Sequence, residues 1–449
     1  MTSDPESPAA GESPASGESL ASGKPARAPG RRSFLRGLAV GGGVVAGGVV
    51  GGAAGYSLHG GTDPAAASAA ALDSATVEGR LPPVAFHGAH QAGILPSPRP
   101  ATAVVSFTAT ADSRADLKDL FQTVTDRVRF LTAGGTPPPV GIDGPPSDSG
   151  TLGSTVVPDG LTITFGVGST LFDDRYGLAS SKPAKLTPMT SFPNDDLDPA
   201  QTDGDLVMQF TAGHPDVVIH ALRDIASNTR GGMLPNWRME GFASPPRPAG
   251  TVPRNHFGFM DGISNPAATS ASQMDDLVWI QPGTAGEPAW TAGGSYFVVR
   301  LIRQLTEFWD RVDVYEQQNM IGRYRASGYT LAADGICTAP DYANDPTGDV
   351  IPMNAHIRLA NPRTPETASS RILRRSYNYN RGLDQVGNLD IGLLFTCFQQ
   401  DIQRQFEATQ TRLANEPMID YISPFGGGYF LALPGVKDAS DWYGSGLLA

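Results

Sequence analysis

Three side chains in this sequence are of types that could do redox chemistry together: Asp261, His356 and Arg374. Asp261 lies in Asn255-His256-Phe257-Gly258-Phe259-Met260-Asp261-Gly262-Ile263-Ser264-Asn265-Pro266, a Gly-x-x-Asp-Gly turn set between apolar aromatics. Its glycines allow a tight backbone and leave the carboxylate open to close approach by a flat ligand. Alone, an Asp-Gly pair is a common turn whose aspartate satisfies its own backbone, so the other two residues decide its meaning. His356 lies in Asn354-Ala355-His356-Ile357-Arg358-Leu359-Ala360-Asn361-Pro362-Arg363, and Arg374 in Arg371-Ile372-Leu373-Arg374-Arg375-Ser376-Tyr377. A neutral imidazole can ligate iron from one face of a haem, while the other face needs a proton acceptor and a fixed cation. Peroxide bound there must lose the proton of its inner oxygen and receive it on the outer one before the O–O bond breaks. A carboxylate can carry that proton, and a guanidinium stays charged and stabilises the negative charge developing on the leaving oxygen. Spacing alone does not bring the three together, so the fold must.

The remaining candidates have plainer readings. Of the seven histidines, His59 lies in an N-terminal apolar stretch, and His214 and His220 fall at a helix start and on an amphipathic helix. His87 and His90, in Phe86-His87-Gly88-Ala89-His90-Gln91-Ala92-Gly93-Ile94, could bind a metal through two imidazoles, and His256 could lie near a ligand or support one from behind. The two cysteines, Cys337 and Cys397, are far apart and in no Cys-x-x-Cys cluster, which excludes zinc-ribbon and iron-sulfur readings and leaves at most one disulfide; Cys397 reads as a buried thiol. A net charge of -12, with no long basic run after the first 36 residues, argues against a nucleic-acid partner.

The chain of 449 residues, 40% hydrophobic and 17% charged, can bury a substantial core. Residues 1 to 70 read differently: a Ser, Pro, Ala, Gly and Glu rich head, then Arg31-Arg32-Ser33-Phe34-Leu35-Arg36, then a stretch without charges to Thr62. That order predicts a disordered head and a twin-arginine export signal, cleaved within Ala65 to Ala71, with the export machinery as a partner and a secreted or envelope-associated product. Export of a folded protein is most useful to an enzyme whose cofactor is inserted beforehand.

Past Leu81 the pattern predicts a strand over Thr102 to Thr110, a helix over Ser113 to Leu131, strands over Leu161 to Val167 and Leu206 to Thr211, and a helix from Pro215 to about Ala226. The order recurs as strand Tyr296 to Ile302, helix Thr306 to about Met320, strand Leu393 to Phe398, helix Ile402 to Ala414 and strand Tyr429 to Leu433. We read this as a duplicated split βαβ unit: an α+β protein of two ferredoxin-like halves with antiparallel sheets, residues 80-265 and 266-449, the Asp261 turn falling at their junction.

These motifs resemble those of the dye-decolourising peroxidase family, in its exported deferrochelatase/peroxidase-like branch. The likeness runs from Phe86 to the end, through His87 to Ile94, Gly258 to Gly262, His356-Ile357-Arg358, Ile372 to Arg375 and the tail Gly426 to Gly435. It implies a dimeric α+β barrel holding one haem b per chain, with His356 as proximal iron ligand and Asp261 and Arg374 as the distal pair. It further implies that Gly262, Ile263, Ser264, Asn361, Pro362 and Arg363 contact the haem or its propionates; an arginine suits a propionate on charge grounds as well. The expected reaction is reduction of hydrogen peroxide with oxidation of dye-like, phenolic or metal-ion donors. The alternative is a haem-binding protein that releases iron from haem in metal uptake, and a homo-oligomer is compatible with either. Ile263 stands where relatives tend to have threonine, and Ser376 where many have glycine. A proximal histidine normally gives its second N–H to a carboxylate or carbonyl, for which Asp401 is the expected partner and Asp390 the runner-up. Tyr377 and Tyr379, just beyond Arg374, are candidate electron carriers to the surface.

Overall fold

The computed structural model describes residues 80–449, so the predicted head and export signal lie outside the described residues. The first half runs β1 (Ala101–Ala109), α1 (Arg114–Ala133), β2 (Thr162–Gly168), β3 (Leu206–Ala212), α2 (Pro215–Asn228) and β4 (Met233–Phe242). Its strands lie in the order β2-β3-β1-β4, all neighbours antiparallel. This is the split βαβ order, in which the first and third strands sit centrally. The second half supplies β5 (Ser295–Gln304), the two-residue β6 (Leu373–Arg374), β7 (Tyr377–Leu383), β8 (Leu389–Gln399) and β9 (Ile422–Ala432). Here β5 pairs with both β9 and β8, and β8 with β7, which repeats the order of the first half. The expected duplication is thus visible in the pairing.

The two sheets join at both edges. β9 pairs with β2 through Gly166↔Ala432, Val167↔Leu431 and Gly168↔Phe430, and β4 meets β7 through Phe242↔Asn378. With β5 paired to β8, the sheet closes on itself as an antiparallel barrel, which removes exposed edges. Side chains alternate across each strand: Val104, Val207, Val299, Leu301, Leu394 and Phe430 fill the barrel, while Val105, Phe107, Met208 and Phe165 pack outward with the helices. Burial on both faces explains why β1 does not alternate cleanly between polar and apolar residues: all of it but Thr108 is buried.

The joint between β2 and β9 is short, and a side chain extends it. Gln91 Nε2 donates to Phe165 O at 2.7 Å and Leu433 O at 2.8 Å, and Phe165 N donates to Gln91 Oε1 at 2.8 Å. A buried amide here does the work of a piece of strand, which gives the His87 to Ile94 segment a structural role. His90 stacks on Trp279 at 3.8 Å with Nδ1 against Gly293 O, and no metal-binding group of acidic, His or Cys side chains forms among the described residues. Gln91→Leu is expected to lower stability by roughly 1–3 kcal/mol by orphaning buried backbone groups. Thermal denaturation of the holoprotein checks this; an unchanged melting temperature would mean that water replaces the amide.

Local chemistry sets the helix ends. Ser113 caps α1, accepting from Asp116 N, and Gly134 at φ 74° ends it. After α3 (Ala271–Leu277), the helix expected over Thr306 to Met320 is instead two short ones, α4 (Thr306–Trp309) and α5 (Val314–Ile321), because Asp313 accepts from Glu316 N and starts a new helix. β9 begins at Ile422, before the predicted Tyr429, and runs through Gly426, Gly427 and Gly428. The glycines belong to the strand itself: a Cβ at Gly427 would collide with Val299 O, so close approach to β5 requires a bare backbone there. The helix expected over Ile402 to Ala414 opens with a π-helical turn, Gln403–Glu407, before the regular Ala408–Leu413. Both cysteines are free, Cys397 buried and Cys337 exposed. Among the described residues no helix is long and apolar enough to cross a membrane.

Candidate active site

The outer face of β5 and β8 forms one wall of a cavity of about 260 Å³. Arg300, Ile302 and Gln304 of β5 and Leu393 and Phe395 of β8 face it, alternating with Val299, Leu301 and Leu394 of the barrel interior. The π-helical turn turns Phe406 towards the same space, in keeping with the use of such bulges at functional sites. The Asp261 turn, the segment from Asn354 to Arg363, and the Arg371 to Arg374 stretch complete it. The residues predicted on three separate segments therefore do share one cavity: Asp261, His356 and Arg374 all line it.

Asp261 and Arg374 are paired, Arg374 Nη1 donating to Asp261 Oδ1 at 2.7 Å, and each side chain is about three-quarters buried. Gly262 N also donates to Oδ1, at 2.7 Å, and Gly262 adopts φ 90°, a left-handed conformation that favours glycine. Gly258, at φ 84°, lies against Arg325, where a Cβ would come within 2.6 Å of Nε. Asn265 fixes Arg374 from behind: Arg374 N donates to Asn265 Oδ1 and Asn265 Nδ2 to Arg374 O, both at 3.0 Å. One amide thus ties the aspartate's turn to the arginine's main chain. Arg375 points elsewhere, donating to Ile94 O at 3.2 Å and to Leu95 O, and burial pushes its guanidinium down to about 10.

His356 opens α6 (His356–Ala360). Arg358 anchors this short helix to the preceding loop through Asp345 Oδ2 at 3.0 Å and Ile351 O at 2.8 Å. The imidazole meets Glu416, with Nδ1 2.6 Å from Oε2, and Glu416 is 4% exposed. Burial alone would hold the imidazole below its ordinary value, but the Glu416 charge and hydrogen bond outweigh it, and the net direction is upward. A carboxylate accepting from Nδ1–H leaves the Nε2 lone pair free for a metal.

Glu416 corrects the expected partner. Asp401 lies 3.6 Å from Lys185 and accepts from Arg404 N at the helix start, while Asp390 binds Arg381 at 2.7 Å. Asp401 is spent on capping the turn after β8, whereas Glu416 sits where the chain leaves the helix that packs on α6. Sequence reasoning placed the carboxylate one element too early. The Glu416-Pro417 pair, an acid fixed at a helix-to-loop exit, is the signal that could have found it.

Of the other predicted contacts, Ile263, Ser264, Asn361 and Arg363 line the cavity, whereas Gly262 and Pro362 do not face it directly. Ser376 does not line it either; its hydroxyl is buried without a partner among the described residues. His256 bonds Tyr379 O at 3.0 Å, away from the cavity, and burial holds its imidazole below the ordinary value. Arg323, unforeseen in the sequence, lines the cavity and donates to Ser264 Oγ at 3.2 Å. Burial and the nearby Arg374 and Arg363 press it below the usual arginine range. Tyr342 stands beside these guanidinium groups and is pushed up to about 12 by burial. Neither Arg323 nor Arg363 has a carboxylate partner among the described residues.

A haem fits this donor set. The walls are largely apolar, from Phe257, Phe259, Ile302, Leu393, Phe395 and Met418; one imidazole presents a free nitrogen; and two uncompensated guanidinium groups suit propionates. Glu416→Gln is expected to weaken haem retention or turnover by roughly 10- to 100-fold, as loss of a partner behind a ligand does. Haem-transfer kinetics and the axial-ligand bands of the absorption spectrum report it, and wild-type values for both would detach Glu416 from the ligand.

The duplicated barrel and this cavity define a haem peroxidase. The chain belongs to the Dyp-type peroxidase family, whose N-terminal model matches residues 91–243 and whose C-terminal model matches residues 252–437. It is 48% identical over 367 residues to the Deferrochelatase of Escherichia coli (strain K12), covering 81% of this chain and 86% of that protein. The Deferrochelatase of Yersinia pestis bv. Antiqua (strain Nepal516) is 46% identical over 366 residues, covering 81% and 84%. Among solved structures, ferric DtpA from Streptomyces lividans superposes with a TM-score of 0.75 at 30% identity, covering 84% of this chain and 99% of that one. A DyP-type peroxidase from Cellulomonas bogoriensis gives 0.73 at 32% identity, covering 82% and 99%.

Proposed function

We propose that, in this haem peroxidase, His356 would hold the haem iron, and Asp261 with Arg374 would act on peroxide in the same cavity. The reading extends to an exported protein that oxidises phenolic, dye-like or metal-ion donors. The observation that carries it is the Asp261–Arg374 pair at 2.7 Å in a cavity also lined by a histidine that a buried Glu416 orients. Haem, when bound, supplies the centre at which peroxide gains two electrons. Asp261 holds Arg374 and Gly262 N through Oδ1 alone, so Oδ2 is free to take the proton of the inner peroxide oxygen and return it to the outer one. Arg374 commits only Nη1 to that carboxylate, and its remaining N–H groups can meet the charge that develops on the departing oxygen. Asn265 keeps both groups in register during the transfer. Ile263, Ser264, Asn361 and Arg363 would contact the macrocycle or its propionates, with Gly262 and Pro362 shaping the backbone around it.

The boundary between the halves is placed at residues 265 and 266. Export by the twin-arginine route rests on Arg31-Arg32 and the charge-free stretch after it. Absorption spectroscopy of the purified protein with haem, followed by peroxide-dependent oxidation of a phenol, tests the reading: no haem band, or a haem band without turnover, would remove it. A second reading, release of iron from haem, is supported by the name borne by relatives 46–48% identical. Recovery of an iron-free, unbroken porphyrin after incubation of the holoprotein with a reductant would favour it.

A further inference from the structure

The carboxylate of Asp261 stands at the end of a small hairpin that is docked on a second one. In the first, Arg254 pairs with Met260, Asn255 N donates to Phe259 O at 3.0 Å, and Asp261 N donates to Pro253 O at 3.0 Å. In the second, Arg323 pairs with Thr330, and Tyr324 N donates to Tyr329 O at 2.9 Å. Each hairpin carries an arginine near its start, and each arginine crosses to the other side. Arg254 Nη1 gives one N–H to Gly258 O of its own turn at 2.8 Å and one to Arg325 O of the other at 2.6 Å, while Nη2 donates to Ala326 O at 2.8 Å. Arg323 Nη1 holds Gly328 O of its own turn at 2.7 Å, and Nη2 reaches Ser264 Oγ, three residues past Asp261, at 3.2 Å.

Among the described residues Arg254 has no carboxylate partner; its guanidinium is spent on three main-chain carbonyls whose positions the two turns fix. A planar fork with several N–H groups suits such a task, and hydrogen bonds from a charged donor are the stronger kind. The tips also meet through bare backbone: a Cβ at Gly328 would lie 2.7 Å from Met260 Sδ. Arg323 lines the haem cavity, whereas Arg254 does not, so any influence of Arg254 on the site passes through the turns. We propose that Arg254 is a positioning residue for the peroxide reaction, clasping the turn that carries Asp261 to the turn that carries Arg323. Asn265 ties the far end of the Asp261 turn to Arg374, and Arg254 ties the near end, so the carboxylate is held from both sides. The proposal rests on the reading of Asp261 as the group that moves the proton of peroxide. A carboxylate in that role must stay within hydrogen-bond reach of both oxygens, and a turn free to rock would not keep it there.

Rapid mixing of the haem-loaded protein with peroxide, on Arg254→Met with and without Asp261→Asn, tests the role. Arg254→Met is expected to slow the peroxide reaction about 10- to 100-fold, as misplacement of a reacting group by roughly 1 Å does. In the Asp261→Asn background the same substitution is expected to change the rate by less than about two-fold, because the group it positions is already gone. Arg254→Lys keeps the charge but offers one nitrogen to three separate carbonyls; it should fall between, and it carries the same comparison if methionine impairs haem loading. Hydrogen exchange read by peptide mass spectrometry reports the clasp apart from the reaction. Arg254→Met is expected to speed exchange about ten-fold in peptides covering both 255–261 and 323–330, as for loss of hydrogen bonds from a charged group. Equal slowing of the peroxide reaction in both backgrounds, or slowing in neither, overturns the positioning role. Faster exchange confined to 255–261 means that the arginine does not join the two turns and overturns the clasp. If Asp261→Asn alone reacts at the wild-type rate, the reading of Asp261 fails, and the exchange pattern still decides whether the clasp exists.

Discussion

Replacing His356 with alanine is expected to produce a protein that holds haem weakly, without the axial signature of a histidine ligand, and with peroxide turnover reduced by more than the roughly 10- to 100-fold cost of losing an outer partner. The reason lies in how much of the local structure serves one nitrogen. Arg358 locks the α6 helix to the loop before it, and Glu416, buried at the end of the neighbouring helix, takes Nδ1–H and leaves Nε2 to the cavity. Among the described residues no second histidine lines that cavity to replace the ligand. Alanine also leaves a space beside Glu416 of imidazole shape, and added imidazole is expected to restore part of the spectrum and the rate. Equilibrium haem binding, the visible spectrum and steady-state turnover measured on the same preparation check this. Haem bound with unchanged axial bands would place the ligand elsewhere.

How far the sequence revealed this site depended on the range of the interactions involved. The strands and long helices were legible because their signals are local: Ser113 ahead of an apolar 3.6-residue repeat, Pro215 at a helix start, β-branched runs of strand length. The duplication was legible because the same local signals recur in the same order. β4 and β7 were not located by residue, since Pro235, Trp237 and Arg238 in one and Asn378, Asn380 and Arg381 in the other mix polar and apolar side chains at the barrel's seam. The strand is predicted only from Tyr429, and Gly426 to Gly428 before it carry no strand signal of their own, because the need for a bare backbone arises from β5, more than a hundred residues earlier in the chain. The same holds within the site. Asp261, His356 and Arg374 stood out through their flanks; Glu416 carries only the cue of the proline behind it, and Arg323 has ordinary neighbours and acquires meaning only once folding brings it to the cavity. Asp401 was chosen for its place at a strand end, and local capping of Arg404 N by that carboxylate is what such a place favours.

The distal pair invites the most informative substitutions, because its two members should fail in different ways. Asp261→Asn keeps a hydrogen-bonding group in the turn but removes the proton acceptor, so the reaction with peroxide is expected to slow by about 100- to 10,000-fold with haem still bound, the usual worth of a positioned acid-base group. Arg374→Leu removes the cation and leaves Asp261 without its partner in a site three-quarters buried, which costs charge stabilisation at the departing oxygen and unsettles the carboxylate at once. Its effect is expected to be of comparable size, about 100- to 1,000-fold for loss of one preorganised donor, to which the disturbance of Asp261 adds. Because Arg374 Nη1 and Asp261 Oδ1 share one hydrogen bond, the double variant should lose far less than the product of the single losses, residues that act as a unit being strongly non-additive. Rapid-mixing measurement of the peroxide reaction on the four proteins, each at full haem occupancy, gives the coupling directly. Strict additivity would mean that the pair seen here separates before it acts, and that the carboxylate carries its proton without the guanidinium beside it.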